Sequence, residues 1–228
     1  MRIGIIGAGM IGGTFAKRFV ELGHDVAIAN SRGPETLAEV ASQTGAEALE
    51  ARKAAQGRDV VVVTIQEGRI PELPDDHLAE VGSETAVVDT CNYYPRERDG
   101  RIEAIEEGLT ESRWVEAQIG HPVVKAFNNI YFLHLGEKGQ PAGSPGRIAL
   151  PVAGDDEAAK KRVMGPIEEL GFGAIDAGDS WRQQPGTPVH TADLDADGVR
   201  RALGEASPER PESMRATDRS PGSFEEPR

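Results

Sequence analysis

The strongest constraint on this chain lies in its first twelve residues. A short aliphatic run, Ile3-Gly4-Ile5-Ile6, leads directly into Gly7-Ala8-Gly9-Met10-Ile11-Gly12. An amphipathic stretch follows from Met10 to Leu22, with Ile11, Phe15, Phe19 and Leu22 recurring near the 3.6-residue helical period. The pattern predicts a strand, a tight turn and a helix. Gly7 allows the turn, Gly9 allows a pyrophosphate to approach the backbone, and Gly12 allows the helix to pack close to the strand. Unpaired N–H groups at the helix start would meet the phosphates, so even a chain of net charge −13 can hold an anion there.

The second strand refines this expectation. In a Rossmann site for NAD, an acidic residue about 20 positions past the glycines bonds the ribose 2′-hydroxyl. Here Asp25–Asn30 ends in Ala29-Asn30, followed by Ser31-Arg32-Gly33, with no carboxylate at the tip. Ser31 offers a hydrogen bond and Arg32 a planar, permanently charged fork, which suits a 2′-phosphate and hence NADP.

Further strands are expected at Asp59–Ile65, Thr85–Asp89, Val123–Phe127, Ile148–Val152 and Phe172–Asp176. Helices are expected near Pro34–Thr44, Arg69–Val81 and Ser112–Gln118, and from Asp155-Asp156-Glu157 onward, with a kink at Gly165-Pro166. Alternating strands and helices give the fold class: a Rossmann-type, doubly wound α/β fold, its sheet mainly parallel with helices on both faces. Residues 1–180 would form the NADP-binding domain with a small C-terminal βα extension, and residues 181–206 a C-terminal segment. Residues 207–228, rich in Pro, Ser, Glu and Arg, would be a disordered tail.

Composition narrows the function classes. The strong negative charge argues against generic nucleic-acid binding, which needs clustered Lys and Arg. No apolar run approaches the roughly 18 residues of a membrane span. One cysteine, Cys91, permits no internal disulfide, and a first strand starting at residue 2 leaves no room for a presequence, so a cytoplasmic protein is expected. The five histidines lack metal-ligand spacing, so no metal is expected.

The second reactant would bind beyond the carboxyl ends of the strands. Thr64-Ile65, Ala126 and the segments containing Asn92-Tyr93-Tyr94 and Asn128-Asn129-Ile130 lie there. Thr64, Ile65 and Ala126 join Gly7–Gly12 and Asn30–Arg32 as expected cofactor neighbours, with Asn92, Tyr93, Asn128, Asn129 and Ile130 on the substrate side. None is an evident general acid or base, so no catalytic residue is assigned. Transfer of a hydride between two bound rings needs positioning above all.

With these residues the chain resembles the coenzyme F420-dependent NADP oxidoreductase family. The resemblance rests on Gly7–Gly12, Asn30-Ser31-Arg32, Val60–Ile65, Val123-Val124-Lys125-Ala126-Phe127-Asn128-Asn129-Ile130, Pro151-Val152-Ala153-Gly154-Asp155-Asp156 and Asp176-Ala177-Gly178. It implies a homodimeric enzyme that shuttles hydride between a deazaflavin, F420, and NADP. Ala8 to Gly12, Ser31 and Arg32 would hold NADP, and Asn128 and Ile130 would flank the deazaflavin. The family's apolar C-terminal helix has no evident counterpart here. The Val-Lys-Ala-Phe-Asn block also resembles the reductase domain of membrane metalloreductases, which use ordinary flavin, so FMN or FAD is the other expected partner. A reductase of a small imine or carbonyl, or a non-catalytic NADP(H)-binding redox sensor, are the competing readings.

Overall fold

A computed structural model of the chain describes residues 1–221. Among these, eight strands form one sheet, in the order β3-β2-β1-β4-β5-β6-β7-β8. They are β1 (Arg2–Ile6), β2 (Asp25–Ala29), β3 (Glu47–Ala48), β4 (Val60–Val63), β5 (Ala86–Asp89), β6 (Val124–Ala126), β7 (Ala149–Ala153) and β8 (Gly173–Gly178). All neighbours run parallel except β6 and β7. This is the expected doubly wound, mainly parallel arrangement. The sequence reading missed β3, a two-residue edge strand too short to carry an alternation.

The helices are α1 (Met10–Glu21), α2 (Ala38–Thr44), α3 (Ala51–Ala55), α4 (Glu103–Glu106), α5 (Glu111–Ile119), α6 (Phe132–Glu137), α7 (Glu157–Glu169) and α8 (Ala196–Glu205). On one face α1, α6 and α7 bury Phe15, Phe19, Leu135, Val163 and Ile167 against Ile3, Ile5, Val62, Val88 and Val152. On the other, Trp114, Val115 and Ile119 of α5 meet Val61, Val63, Val87 and Val123. The central strands are thus apolar on both sides, which explains their unbroken β-branched runs. None of the described helices is long and apolar enough to cross a membrane.

Several expectations need correction. Leu22 is exposed, because α1 ends at Glu21 and its buried stripe is Phe15, Ala16 and Phe19. The stretch Arg69–Val81 forms only a 3-10 turn, Glu67–Glu72, and further turns, since Pro71 and Pro74 remove N–H donors. Helix α7 runs on through Pro166, and Gly165, lacking a Cβ, removes much of the crowding that a proline imposes on the residue before it. A C-terminal helix does exist. Asp195 caps α8 by accepting from Gly198 N, and Val199, Ala202 and Leu203 cover β7 and β8.

The tail is the largest correction. Residues 207–221 pack on the body, with Arg210 and Ser220 buried. The Arg96 guanidinium donates to the carbonyls of Arg215 and Glu212, and Ala216 N donates to Glu106 Oε1 at 2.7 Å. Polar contacts to the main chain and one buried ion pair hold a segment that has few apolar residues. The remainder of the expected tail, 222–228, lies outside the described residues.

Candidate active site

The β1–α1 turn is made of three glycines in three different situations. Gly7 has φ +116°, and a Cβ there would stand 2.2 Å from the Thr64 carbonyl oxygen. At Gly12 it would stand 1.9 Å from the Gly7 carbonyl oxygen. Both glycines are demanded by close backbone packing. At Gly9 a Cβ would meet no heavy atom within 4 Å. Gly9 is exposed, it starts α1 without a side-chain cap, and the first N–H groups of the helix have no intrahelical acceptor. No contact within the chain therefore requires glycine at position 9, in contrast to Gly7 and Gly12. Ala8 and Ile11 are half-buried beside this cradle and Met10 is exposed on it.

At the tip of β2 the turn is preset by Asn30. Its Oδ1 accepts from Arg32 N at 2.9 Å, and its Nδ2 donates to Thr36 Oγ1 at 2.9 Å. Ser31 and Arg32 are thereby held outward, both exposed, and the Arg32 guanidinium makes no hydrogen bond or ion pair among the described residues. One opposing charge is close. The Glu35 carboxylate folds back against Gly33, within 2.6 Å of where a Cβ would sit.

The other half of the crevice is assembled from distant segments. Asn92 Nδ2 donates to the Asn128 carbonyl, Asn128 Nδ2 to the Gln183 carbonyl, and Gln183 Nε2 to the Lys125 carbonyl, at 2.8, 2.8 and 3.0 Å. Each amide is oriented by a main-chain acceptor, and the amides also bond one another: Asn128 Nδ2 to Asn92 Oδ1, Gln183 Nε2 to Asn128 Oδ1. Three buried polar atoms here remain unspent: Thr64 Oγ1, Asn129 Oδ1 and Gln183 Oε1 have no partner among the described residues, a state that costs roughly 1–3 kcal/mol per group unless a ligand relieves it. Three predicted neighbours face the core instead. Tyr93 is fully buried, donating its hydroxyl to Glu106 Oε1 and accepting from Ile102 N; Ile130 and Ala126 pack under α1 and α6. Alternation of side chains along an extended segment explains Tyr93: its neighbours Asn92 and Tyr94 take the crevice side.

Tyr94 stands two residues beyond Asn92 on the same segment. Its hydroxyl lies 2.7 Å from Nε2 of His190, 96 residues away, and the Arg98 guanidinium stands 5.1 Å from its ring centroid. Burial raises the Tyr94 pKa and lowers that of His190 to about 4. No local pattern marks such a pair. Gln183 was likewise missed.

Beneath this wall sits a closed set of charges. Lys125 Nζ bonds Asp89 Oδ2 at 3.0 Å and the Cys91 carbonyl at 2.6 Å, with Glu111 Oε2 at 3.8 Å. From the tail, Arg210 bonds Glu111 Oε1 at 2.6 Å. Burial alone would discharge Lys125, but the carboxylates around it, Asp89 foremost, raise its pKa. Glu67 is fully buried with neither oxygen partnered among the described residues; burial, then Glu111, pushes its pKa well up. Burial thus favours the neutral form of Glu67, and the cations Lys125 and Arg210 face the carboxylates of Asp89 and Glu111. Lys125 is therefore a structural cation, and Cys91, its thiol raised by burial, is inert beside it. A separate cavity of about 220 Å³ opens between α5 and the 178–181 segment, lined by Thr110, Arg113, Asp155 and Trp181, away from the glycine turn.

Comparison with known proteins places the chain among Rossmann-fold oxidoreductases. Residues 2–93 match the family model described as NADP oxidoreductase, coenzyme F420-dependent. The protein YjhV of Escherichia coli K12 is 43% identical over 66 residues, 28% of this chain and 48% of that protein, so the match spans about half of its length. The crystal structure of a hypothetical protein, SMa0349, from Sinorhizobium meliloti is 30% identical, with 86% of this chain and 96% of that chain covered and a TM-score of 0.72. A candidate F420-dependent NADP reductase from Arthrobacter sp. FB24 shares the fold at 24% identity and a TM-score of 0.63, over 78% of this chain and 85% of that one.

Proposed function

We propose, on the premise that this chain belongs to the F420-dependent NADP oxidoreductase-like family of Rossmann-fold oxidoreductases, that it passes hydride between NADP(H) and a deazaflavin or flavin-like partner. The observation that carries the reading is the Gly9 cradle, open where Gly7 and Gly12 are closed, at an uncapped helix start. In this reading Gly7 to Gly12 hold the pyrophosphate, Ser31 and Arg32 the 2′-phosphate, and Thr64 and Ile65 line the path toward the nicotinamide. Bound NADP(H) supplies or takes the hydride.

The chain's own residues position the two reactants. Asn92, Asn128 and Gln183 form a rigid neutral wall, because each amide is fixed at a carbonyl. Asn129 and Thr64 offer the unspent polar atoms that a carboxamide or a ring N–H would satisfy. A cytoplasmic homodimer, with F420 as first partner and FMN or FAD as second, completes the proposal.

Calorimetry with NADPH and NADH tests it, followed by mixing reduced F420, or reduced FMN, with NADP. NADPH is expected to bind the tighter. Arg32→Ala should cost NADPH about 1.5–3 kcal/mol and leave NADH unchanged, as for a charge-assisted contact. Glu35→Gln should tighten NADPH by removing the carboxylate beside Gly33. Equal affinities for both dinucleotides would refute the role of Arg32, and turnover only on cyclic imines would move the chain to the imine-reductase class.

A further inference from the structure

We propose that Tyr94 and His190 form a proton relay, Tyr94 Oη to His190 Nε2, that takes up the proton the second reactant loses as its hydride leaves. The inference rests on the hydride-transfer reading above and goes beyond it, since that reading gives no residue a proton to carry.

Oxidation of a dihydro-ring releases a hydride and also a proton. The glycine turn offers no acceptor for that proton. In the crevice, Asn92, Asn128 and Gln183 do not titrate, and their amides are fixed by main-chain carbonyls. Lys125, Asp89 and Glu111 are closed on each other beneath the wall. Tyr94 differs. It follows the carboxyl end of β5, is half-buried, and lies one residue beyond the inward-facing Tyr93 on the Asn92 side. His190 belongs to the segment whose Gln183 closes the amide wall.

The relay calls for one tautomer. Nδ1 of His190 is buried with no hydrogen-bond partner among the described residues, and Nε2 lies 2.7 Å from the Tyr94 hydroxyl. With the ring proton on Nδ1, the Tyr94 hydroxyl donates to Nε2 and its oxygen keeps a lone pair for an incoming proton. Burial, with Lys125 nearby, keeps His190 neutral at rest and makes its imidazolium a short-lived carrier that gives the proton back.

The step balances. The partner's N–H or O–H bond breaks and its proton bonds Tyr94 Oη. The Tyr94 O–H bond breaks and that proton bonds His190 Nε2. The partner's hydride carries its electron pair to the oxidised dinucleotide. After the oxidised partner leaves, water reaching Tyr94 draws the proton back out along the same path. Reduction of the partner uses the path in reverse.

Two measurements on the full chain test this. In ¹⁵N-histidine NMR, His190 should show a protonated Nδ1 and a hydrogen-bonded, unprotonated Nε2, and Tyr94→Phe should move the Nε2 resonance alone. In stopped-flow single turnovers with reduced F420 or FMN and NADP, Tyr94→Phe should slow transfer by about 10²–10³-fold and abolish the solvent deuterium effect, with NADP affinity within about twofold of wild type. His190→Gln, whose Oε1 still accepts from Tyr94, should keep the NADP affinity and lose the relay. A protonated Nε2 overturns the proposal, as does an unchanged rate in Tyr94→Phe, which would leave the pair as a clasp for the C-terminal segment. Failure of the wild type to bind NADP would instead overturn the hydride-transfer reading itself.

Discussion

The two halves of the crevice are built from different materials. Around β1 and β2 the proposed ligand surface is mostly main chain: a helix start, a glycine with nothing beside it, and a turn preset by Asn30. Around β5 and β6 it is side chain: amides from residues 92, 128 and 183, a tyrosine bonded to a histidine 96 residues on, and below them a buried charge cluster closed by Arg210. The first half is open because its components have no partner to find. The second is rigid because its components satisfy one another. Ligand affinity should therefore depend on the first half and fold stability on the second, so mutations ought to separate the two.

The largest separation is expected from removing the tail. Truncation after Ala206 takes away Arg210 and leaves Glu111, 1% exposed, facing Lys125 alone in a cluster that already holds Asp89 and Glu67. Breaking one partner out of a buried ion pair costs about 3–5 kcal/mol. Urea denaturation of the truncated chain should show a loss of that order, while NADPH affinity measured below the transition stays the same. An unchanged midpoint would mean that the segment merely rests on the surface.

The complementary change is Gly9→Ala. Its Cβ meets nothing in the protein, so the melting temperature should hold, but the methyl stands where a pyrophosphate must approach. A tenfold or greater loss of dinucleotide affinity, about 1.4 kcal/mol, is expected. Gly7→Ala serves as the contrast: at φ +116°, with the Thr64 carbonyl in the way, it should destabilise the fold itself. A Gly9→Ala variant that binds normally would remove the cradle from the argument.

What could be read in the sequence follows the same division. Gly7, Gly9 and Gly12, the Asn30 turn and the β-branched runs act through neighbours in the chain, so periodicity and spacing announce them. The side chains of Gln183, His190 and Arg210 make their hydrogen bonds to residues 55 to 99 positions away, and nothing in their own surroundings marks them. Composition misled at the tail, because a few buried contacts outweighed a polar average. It misled at α8 as well, where the apolar stripe is only Val199, Ala202 and Leu203. Tyr93 and Ile130, expected on the substrate side, are buried in the core; for Tyr93 a one-residue step along an extended segment reverses the direction of the side chain.

The smallest effect probes the charge cluster from within. Glu67 has a folded-state pKa well above its ordinary 4.5, owing first to burial and then to Glu111. The folded protein thus holds that proton more tightly than the unfolded chain does. The stabilisation is fully present below the ordinary glutamate range and is lost as pH rises toward the folded value. Glu67→Gln keeps the shape and the neutral state but cannot ionise. At pH 4 the variant should match wild type within about 1 kcal/mol, and from pH 5 upward it should become progressively the more stable of the two. Melting curves taken between pH 4 and 8 give the difference directly. A variant that loses stability relative to wild type as pH rises would mean that Glu67 is ionised against Lys125, and the balance of two cations with two carboxylates would have to be redrawn.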